Sequence, residues 1–197
     1  MKKFILVLSI VIALPITTFF LFYFLVSFTS NLPKSEKISD KLSKRDKISI
    51  ALTVKTAKIL SETKNLRFNG FGGSGGMQGI VKMRAISLTS TDGPFNIQQA
   101  RELVAYCAEI FLREINNSEK IRPYLHHYPF TVNDIEVRIT GSSKNNSINK
   151  NSLIAYTSLI KRKIDYCIRD ERLKSVHEET YEEALEILNR EKKLQKN

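Results

Sequence analysis

The sequence predicts an α+β fold: an N-terminal transmembrane helix, then a two-layer domain with helices packed on a mostly antiparallel sheet. Three observations carry this. Phe4 to Phe28 is almost wholly apolar, and no charged residue occurs from Phe4 through Pro33. Downstream, patterns of period two and of helical period occur in groups rather than in strict alternation, which separates α+β from α/β. Six of the eight glycines fall between Gly70 and Gly79, so backbone freedom is concentrated in one place.

Composition narrows the partners. Lys and Arg number 31 against 20 Asp and Glu, a net charge of +11. A basic surface attracts nucleic acid or anionic lipid. The excess is not gathered into one stripe interleaved with aromatics, so nucleic acid is the weaker reading. The two cysteines, Cys107 and Cys167, are too few for a disulfide scaffold and are expected as free thiols. No cofactor is implied.

The first element is the anchor, residues 1–30. About 20 apolar residues suffice to span a bilayer, whereas the apolar core of a cleaved signal is about 7–15. The run is longer than that and lacks a small-x-small cleavage site, so an uncleaved signal anchor is expected, with residues 4–28 in the lipid bilayer. Pro15 kinks such a helix, and Thr17 and Thr18 can serve the backbone groups it frees. Lys2 and Lys3 before the run favour a single-pass topology with the body outside the cytoplasmic membrane. The positive charges from Lys34 to Lys47 pull the other way by the positive-inside rule. Residues 31–47 read as a basic juxtamembrane spacer, 48–190 as the α+β domain and 191–197 as a charged tail.

Ser39 to Lys64 has helical spacing, with Leu42, Ile48, Leu52 and Ile59 as its stripe and Ala51 and Leu60 beside it. Leu66 to Phe68 reads as a short strand leading into the glycines. Val81, Met83 and Ala85 alternate with Lys82 and Arg84, a strand pattern, before a turn at Thr91-Asp92-Gly93-Pro94. The clearest helix is Ile97 to Ile115. Asn96 is its cap, Gln99 the capping-box partner, and Ile97, Ala100, Leu103, Val104, Cys107, Ile110, Phe111 and Ile115 its apolar face. Ile135, Val137 and Ile139 form a half-buried strand, followed by a polar stretch from Gly141 to Ser152. Leu153 to Ile168 reads as two strands turned at Lys161-Arg162, although that turn lacks Gly or Asn. Ser175 and Glu178 fit a capping box for a last helix with Tyr181, Ala184, Leu185 and Leu188 inside. On this reading Glu178, Glu179, Glu182, Glu183 and Glu186 form its solvated face.

Candidate chemistry centres on the glycine run. Gly72-Gly73-Ser74-Gly75-Gly76 matches G-x-S-x-G, which in an α/β-hydrolase exposes a nucleophilic serine between a strand and a helix. Ser74 would attack, with His126, His127 or His177 as base and Asp134 or Asp165 to orient it. The segment after the run reads as strand, however, and the expected series of crossover helices is missing. The same glycines could cradle a phosphate or nucleotide through backbone N–H groups. The Gly-Lys-Ser/Thr ending of a Walker A loop is absent, because Met77-Gln78 comes next. The favoured reading is a junction where two backbone segments approach closely. His126-His127 is a tandem rather than a metal spacing, since neighbours on a strand or helix point apart, and no metal site is expected. Tyr124, Tyr128 and Phe130 are expected to pin this proline-bracketed segment.

Three stretches, Phe71 to Leu88 (FGGSGGMQGIVKMRAISL), Ala100 to Phe130 (ending INNSEKIRPYLHHYPF) and Glu179 to Leu188 (ETYEEALEIL), together resemble an uncharacterised family of small bacterial proteins. The resemblance covers most of residues 65–190. It implies an N-terminal export or membrane segment and no assigned activity, and it transfers no catalytic residues. Sequence thus points to an anchored domain that binds a ligand or assembles with a partner, a protein among the candidates, without catalysis, ahead of a Ser74 hydrolase or a phosphate or nucleotide binder.

Overall fold

A computed structural model describes residues 42–75, 79–141 and 153–195 of the chain. The expected anchor at residues 4–28 lies outside the described residues, as do Gly76, most of the basic spacer and the polar stretch 142–152. Among the described residues no helix is long and apolar enough to cross a membrane. Ser43–Asn197 forms one compact unit. It is α+β, with a six-stranded, mostly antiparallel sheet.

Helix α1 spans Lys44–Lys64. The Ser43 hydroxyl caps it by accepting from the Asp46 N–H at 3.1 Å. It ends where Asn65 turns left-handed, φ 50°. The helix therefore begins within the stretch assigned to the spacer. Its deepest residues are Ser49, Thr53, Thr56, Ala57 and Leu60, while the expected stripe residues Ile48, Leu52 and Ile59 are only half-buried and Ala51 is exposed. Small threonines let the helix sit close. Their hydroxyls bond back to carbonyls one turn earlier, Thr53 to Ser49 and Thr56 to Leu52, each at 3.0 Å, so burying them leaves few orphans.

Strand β1 covers Leu66–Gly75 and β2 covers Val81–Ser90. They pair antiparallel from Leu66 opposite Ser90 to Gly75 opposite Val81, with irregularities at Phe68/Gly70 and Ser74/Gly75. The short strand expected at Leu66 to Phe68 thus continues through most of the glycine run. Helix α2 comes next at Ile97–Asn116, with the expected Asn96–Gln99 capping box in place. It is the crossover that brings β3, Ile135–Gly141, alongside β2 as the sheet's one parallel pairing. Two short 3₁₀ turns, Arg122–Tyr124 and Val132–Asp134, lie between α2 and β3.

Strands β4, Ile154–Ile160, and β5, Lys163–Arg169, form the expected hairpin. Lys161 (φ 48°) and Arg162 (φ 68°) are both left-handed, as a two-residue hairpin turn of the primed type demands. Each non-glycine residue held there costs on the order of 1 kcal/mol. Replacing Lys161-Arg162 by Asn-Gly is therefore expected to raise stability by about 1 kcal/mol, since the Arg162–Glu182 pair it removes is exposed and worth less. A urea midpoint that fails to rise would refute this account of the turn.

Residues Leu173–Thr180 form a sixth strand, β6, antiparallel to β5. This corrects the capping box placed at Ser175–Glu178. The true box is Thr180–Glu183, and helix α3 runs Tyr181–Leu194. Two S/T-x-x-E patterns lie five residues apart here. Pairing with β5 takes the first into the sheet and leaves the second to start the helix.

One apolar core lies between the helices and the sheet. Val104, Cys107, Phe111, Val137, Ile139, Leu159, Ile164 and Tyr166 are completely buried in it. Burying each large side chain contributes about 1.5–3 kcal/mol. Within β3 the alternation is as expected, with Ile135, Val137 and Ile139 inside while Glu136, Arg138 and Thr140 keep partial or full access to solvent.

Candidate functional site

From Gly70 to Gly75 the glycine run belongs to an edge strand, not a loop. Strand β1 stands at the end of the sheet order, bonded on one side to β2. Ser74 is exposed within it and pairs with Met83. The next element along the chain is strand β2, so the G-x-S-x-G match lies in a hairpin rather than at a strand-to-helix turn. Nor does the described part make a phosphate nest, which needs left-handed residues to converge its N–H groups. Gly70, Gly72, Gly73 and Gly75 all lie outside the left-handed region, and Gly79 alone of the described glycines in this run is left-handed, φ 77°.

Two of these glycines meet a close neighbouring backbone. A Cβ on Gly73 would lie 2.7 Å from the Met83 carbonyl oxygen, and one on Gly75 would lie 2.8 Å from that of Ile80. Positions 70 and 72 have room. The close approach of main chain expected from the sequence is thus seen at Gly73 and Gly75. The same gaps admit the guanidinium of Arg84 over Gly73 and that of Arg45 beside Gly75. Arg84 donates to the Thr53 hydroxyl at 3.0 Å and lies 5.8 Å from the centre of the Phe71 ring. Burial lowers its pKa.

The histidine tandem lies on the other side of β2. Leu125 bridges to Val81, and the His126 N–H donates to the Val81 carbonyl at 3.0 Å. Gly75 faces Val81 from β1. Two strand spacings therefore separate the histidine and glycine backbones, about 10 Å. Among the described residues no hydrogen bond joins the Ser74 hydroxyl to a histidine.

Neighbouring side chains were expected to point apart along this tandem. They converge instead, because residues 126–129 are in neither a strand nor a helix. The two imidazole rings are 4.0 Å apart, edge to face. Nδ1 of His127 lies 2.9 Å from a ring nitrogen of His126, and its Nε2 lies 3.1 Å from Oδ2 of Asp134. Donor atoms of His126, His127 and Asp134 all fall within 4.8 Å of one another. Both histidines are exposed and Asp134 is buried. The segment is pinned as expected: Phe130 is buried, its N–H and C=O both bond the Asn116 side chain, and the Tyr128 hydroxyl donates to the Asn116 carbonyl. The one signal for this cluster in sequence was Asp134 itself, weighed as an orienting group for a histidine base rather than as a third donor.

A second polar cluster was missed. Arg101 and Glu179, at 7% and 8% exposure, form a bidentate pair, Nε–Oε1 2.8 Å and Nη2–Oε2 3.1 Å. The Tyr166 hydroxyl also donates to Glu179, and His177 Nε2 stands 3.5 Å away. Glu179 is therefore no part of a solvated helix face; it lies on β6 and points into the protein. His177 belongs to the same strand, not to a helical first turn, and pairs across with Tyr166. Burial alone would raise the Glu179 pKa, but the bonds from Arg101 and Tyr166 outweigh it and hold the carboxyl below its usual 4.5. Burial pushes the Tyr166 phenol up, as does its bond to Glu179. Position 101 did carry a signal: it falls on the 97-101-104-108-111-115 heptad seam of α2, a charge in an apolar row.

Both cysteines are free and buried. Cys107 is in the core; Cys167 is outside it, with its thiol 3.3 Å from Asp165. Burial, then Asp165, pushes the Cys167 thiol up to about 12, and burial raises Cys107 further. Neither is poised as a thiolate nucleophile. Asp165 bonds Ser175 and Cys167 and pairs with no histidine among the described residues.

Comparison with known protein families, with curated proteins and with solved structures finds no match to this chain.

Proposed function

We propose that this is a single-pass membrane protein whose two-layer α+β domain binds or assembles with a protein partner without catalysis. The edge of β1 carries the reading. It offers ten residues of strand with Arg67 as its one ionisable side chain, and Phe71 is 45% exposed upon it. Sheet edges are normally blunted by charge, proline or a covering element, because an open row of N–H and C=O groups accepts another strand. The uncharged run from Phe4 through Pro33 supports the tether, and the start at Lys2-Lys3 favours a body outside the cytoplasmic membrane.

Fractionation tests the tether. Full-length protein is expected in the membrane pellet after carbonate washing, and a chain lacking residues 1–30 in the supernatant. Full-length protein in the soluble fraction would refute the reading, and a periplasm-only reporter after Asn197 reads the orientation. The His127–Asp134 contact keeps a serine hydrolase as the second reading. Labelling by a fluorophosphonate probe that disappears in Ser74→Ala would establish that reading and overturn the non-catalytic one.

A further inference from the structure

We propose that His126, His127 and Asp134 bind a divalent transition ion of the zinc class, with the fourth position open to solvent or to a ligand from a partner.

The donor set suits that class. Two imidazole nitrogens and one carboxylate oxygen match zinc, copper, nickel or ferrous iron; calcium and magnesium prefer all-oxygen shells. The spacing suits it as well. Zinc bonds of about 2.0–2.1 Å imply donor-to-donor edges of about 3.3 Å in a tetrahedron. His127 Nε2 and Asp134 Oδ2 already stand 3.1 Å apart. The other edges lie within 4.8 Å, and His126 is exposed, so rotation of its ring can close them.

The frame around these donors is fixed before any ion arrives. His126 is tied to β2 through its backbone N–H, 3.0 Å from the Val81 carbonyl oxygen. Asp134 is 5% exposed, and its Oδ2, the oxygen nearest His127, accepts from the Thr131 N–H at 2.7 Å and from the Thr131 hydroxyl at 2.8 Å. Outer groups that orient a metal ligand in this way are a regular part of metal sites. Asn116 and Phe130 hold the intervening chain. A cation here would bridge two imidazoles that otherwise crowd each other edge to face.

The test is a titration of the purified full-length chain in detergent with zinc chloride by calorimetry, paralleled by cobalt(II) absorption. One ion per chain is expected, with visible cobalt bands of nitrogen and oxygen ligation and no thiolate charge-transfer band. His126→Gln and His127→Gln should each weaken binding, and the double variant should abolish it. Thr131→Val should weaken it about tenfold by loosening Asp134. His177→Ala should leave it unchanged. Both tandem histidines are exposed, so their glutamine variants should unfold at the native temperature in the presence of a chelator. Absence of zinc binding by the native chain overturns the proposal. So does binding that survives in the double variant, or equal binding of magnesium.

Discussion

Replacing Arg101 by Met is expected to destabilise the domain by about 3–5 kcal/mol, the usual consequence of leaving one partner of a buried ion pair alone. Glu179, 8% exposed in the native protein, would keep only Tyr166 and the more distant His177 beside it. The pH dependence should change with it. In the native protein the Glu179 carboxyl is held below its ordinary 4.5, so its contribution is fully present above that value and is lost as pH falls further, through the folded-state pKa. Without Arg101, burial counts for more, and the stability lost on acidification should shrink. Urea unfolding of both proteins across the acid range measures both effects. A loss under 1 kcal/mol, or an unchanged acid limb, would mean that the pair does not lock α2 to β6. Arg101→Met with Glu179→Leu should recover much of the loss, because replacing both partners by apolar groups leaves no buried charge.

Gly73→Val is expected to cost about 1–3 kcal/mol, the range for forcing atoms into filled space. The deciding contact is a backbone atom, since the new Cβ would lie 2.7 Å from the Met83 carbonyl oxygen and only displacement of β1 from β2 can relieve it. Arg84 lies nearly as close, but its long side chain can move aside. Gly70→Val provides the contrast. It meets nothing within 4 Å and places a β-branched residue in a strand, so it should be neutral or stabilising. If the two variants behaved alike, the close approach of β1 to β2 would not explain the glycines.

Much of the fold was legible because it derives from local chemistry. The Asn96–Gln99 box, the α2 stripe, the alternation of β3 and the β4–β5 hairpin are set by residues a few positions apart. Three features were not legible. The expected α1 stripe does pack on the core through Ile48, Leu52, Ile59 and Leu60, but the deeper row of Ser49, Thr53 and Thr56 was not foreseen, because threonines that satisfy their hydroxyls within the helix pack as small core residues. β6 was misread because a capping pattern at Ser175 is also compatible with a strand, and only β5 offers the partner that decides between them. Glu179 was placed in water because nothing in its neighbourhood announces an arginine 78 residues away.

The candidate sites divide the same way. Sequence alone marked the glycine run and the uncharged N-terminal segment, since glycine's missing side chain and the cost of charge in lipid are properties of the residues themselves. Tertiary structure decided that most of the run is an edge strand, that Arg101 meets Glu179, and that two neighbouring histidines converge on Asp134. Convergence of that kind depends on where the backbone leaves regular structure and what the surrounding elements hold it against, and no local pattern encodes it.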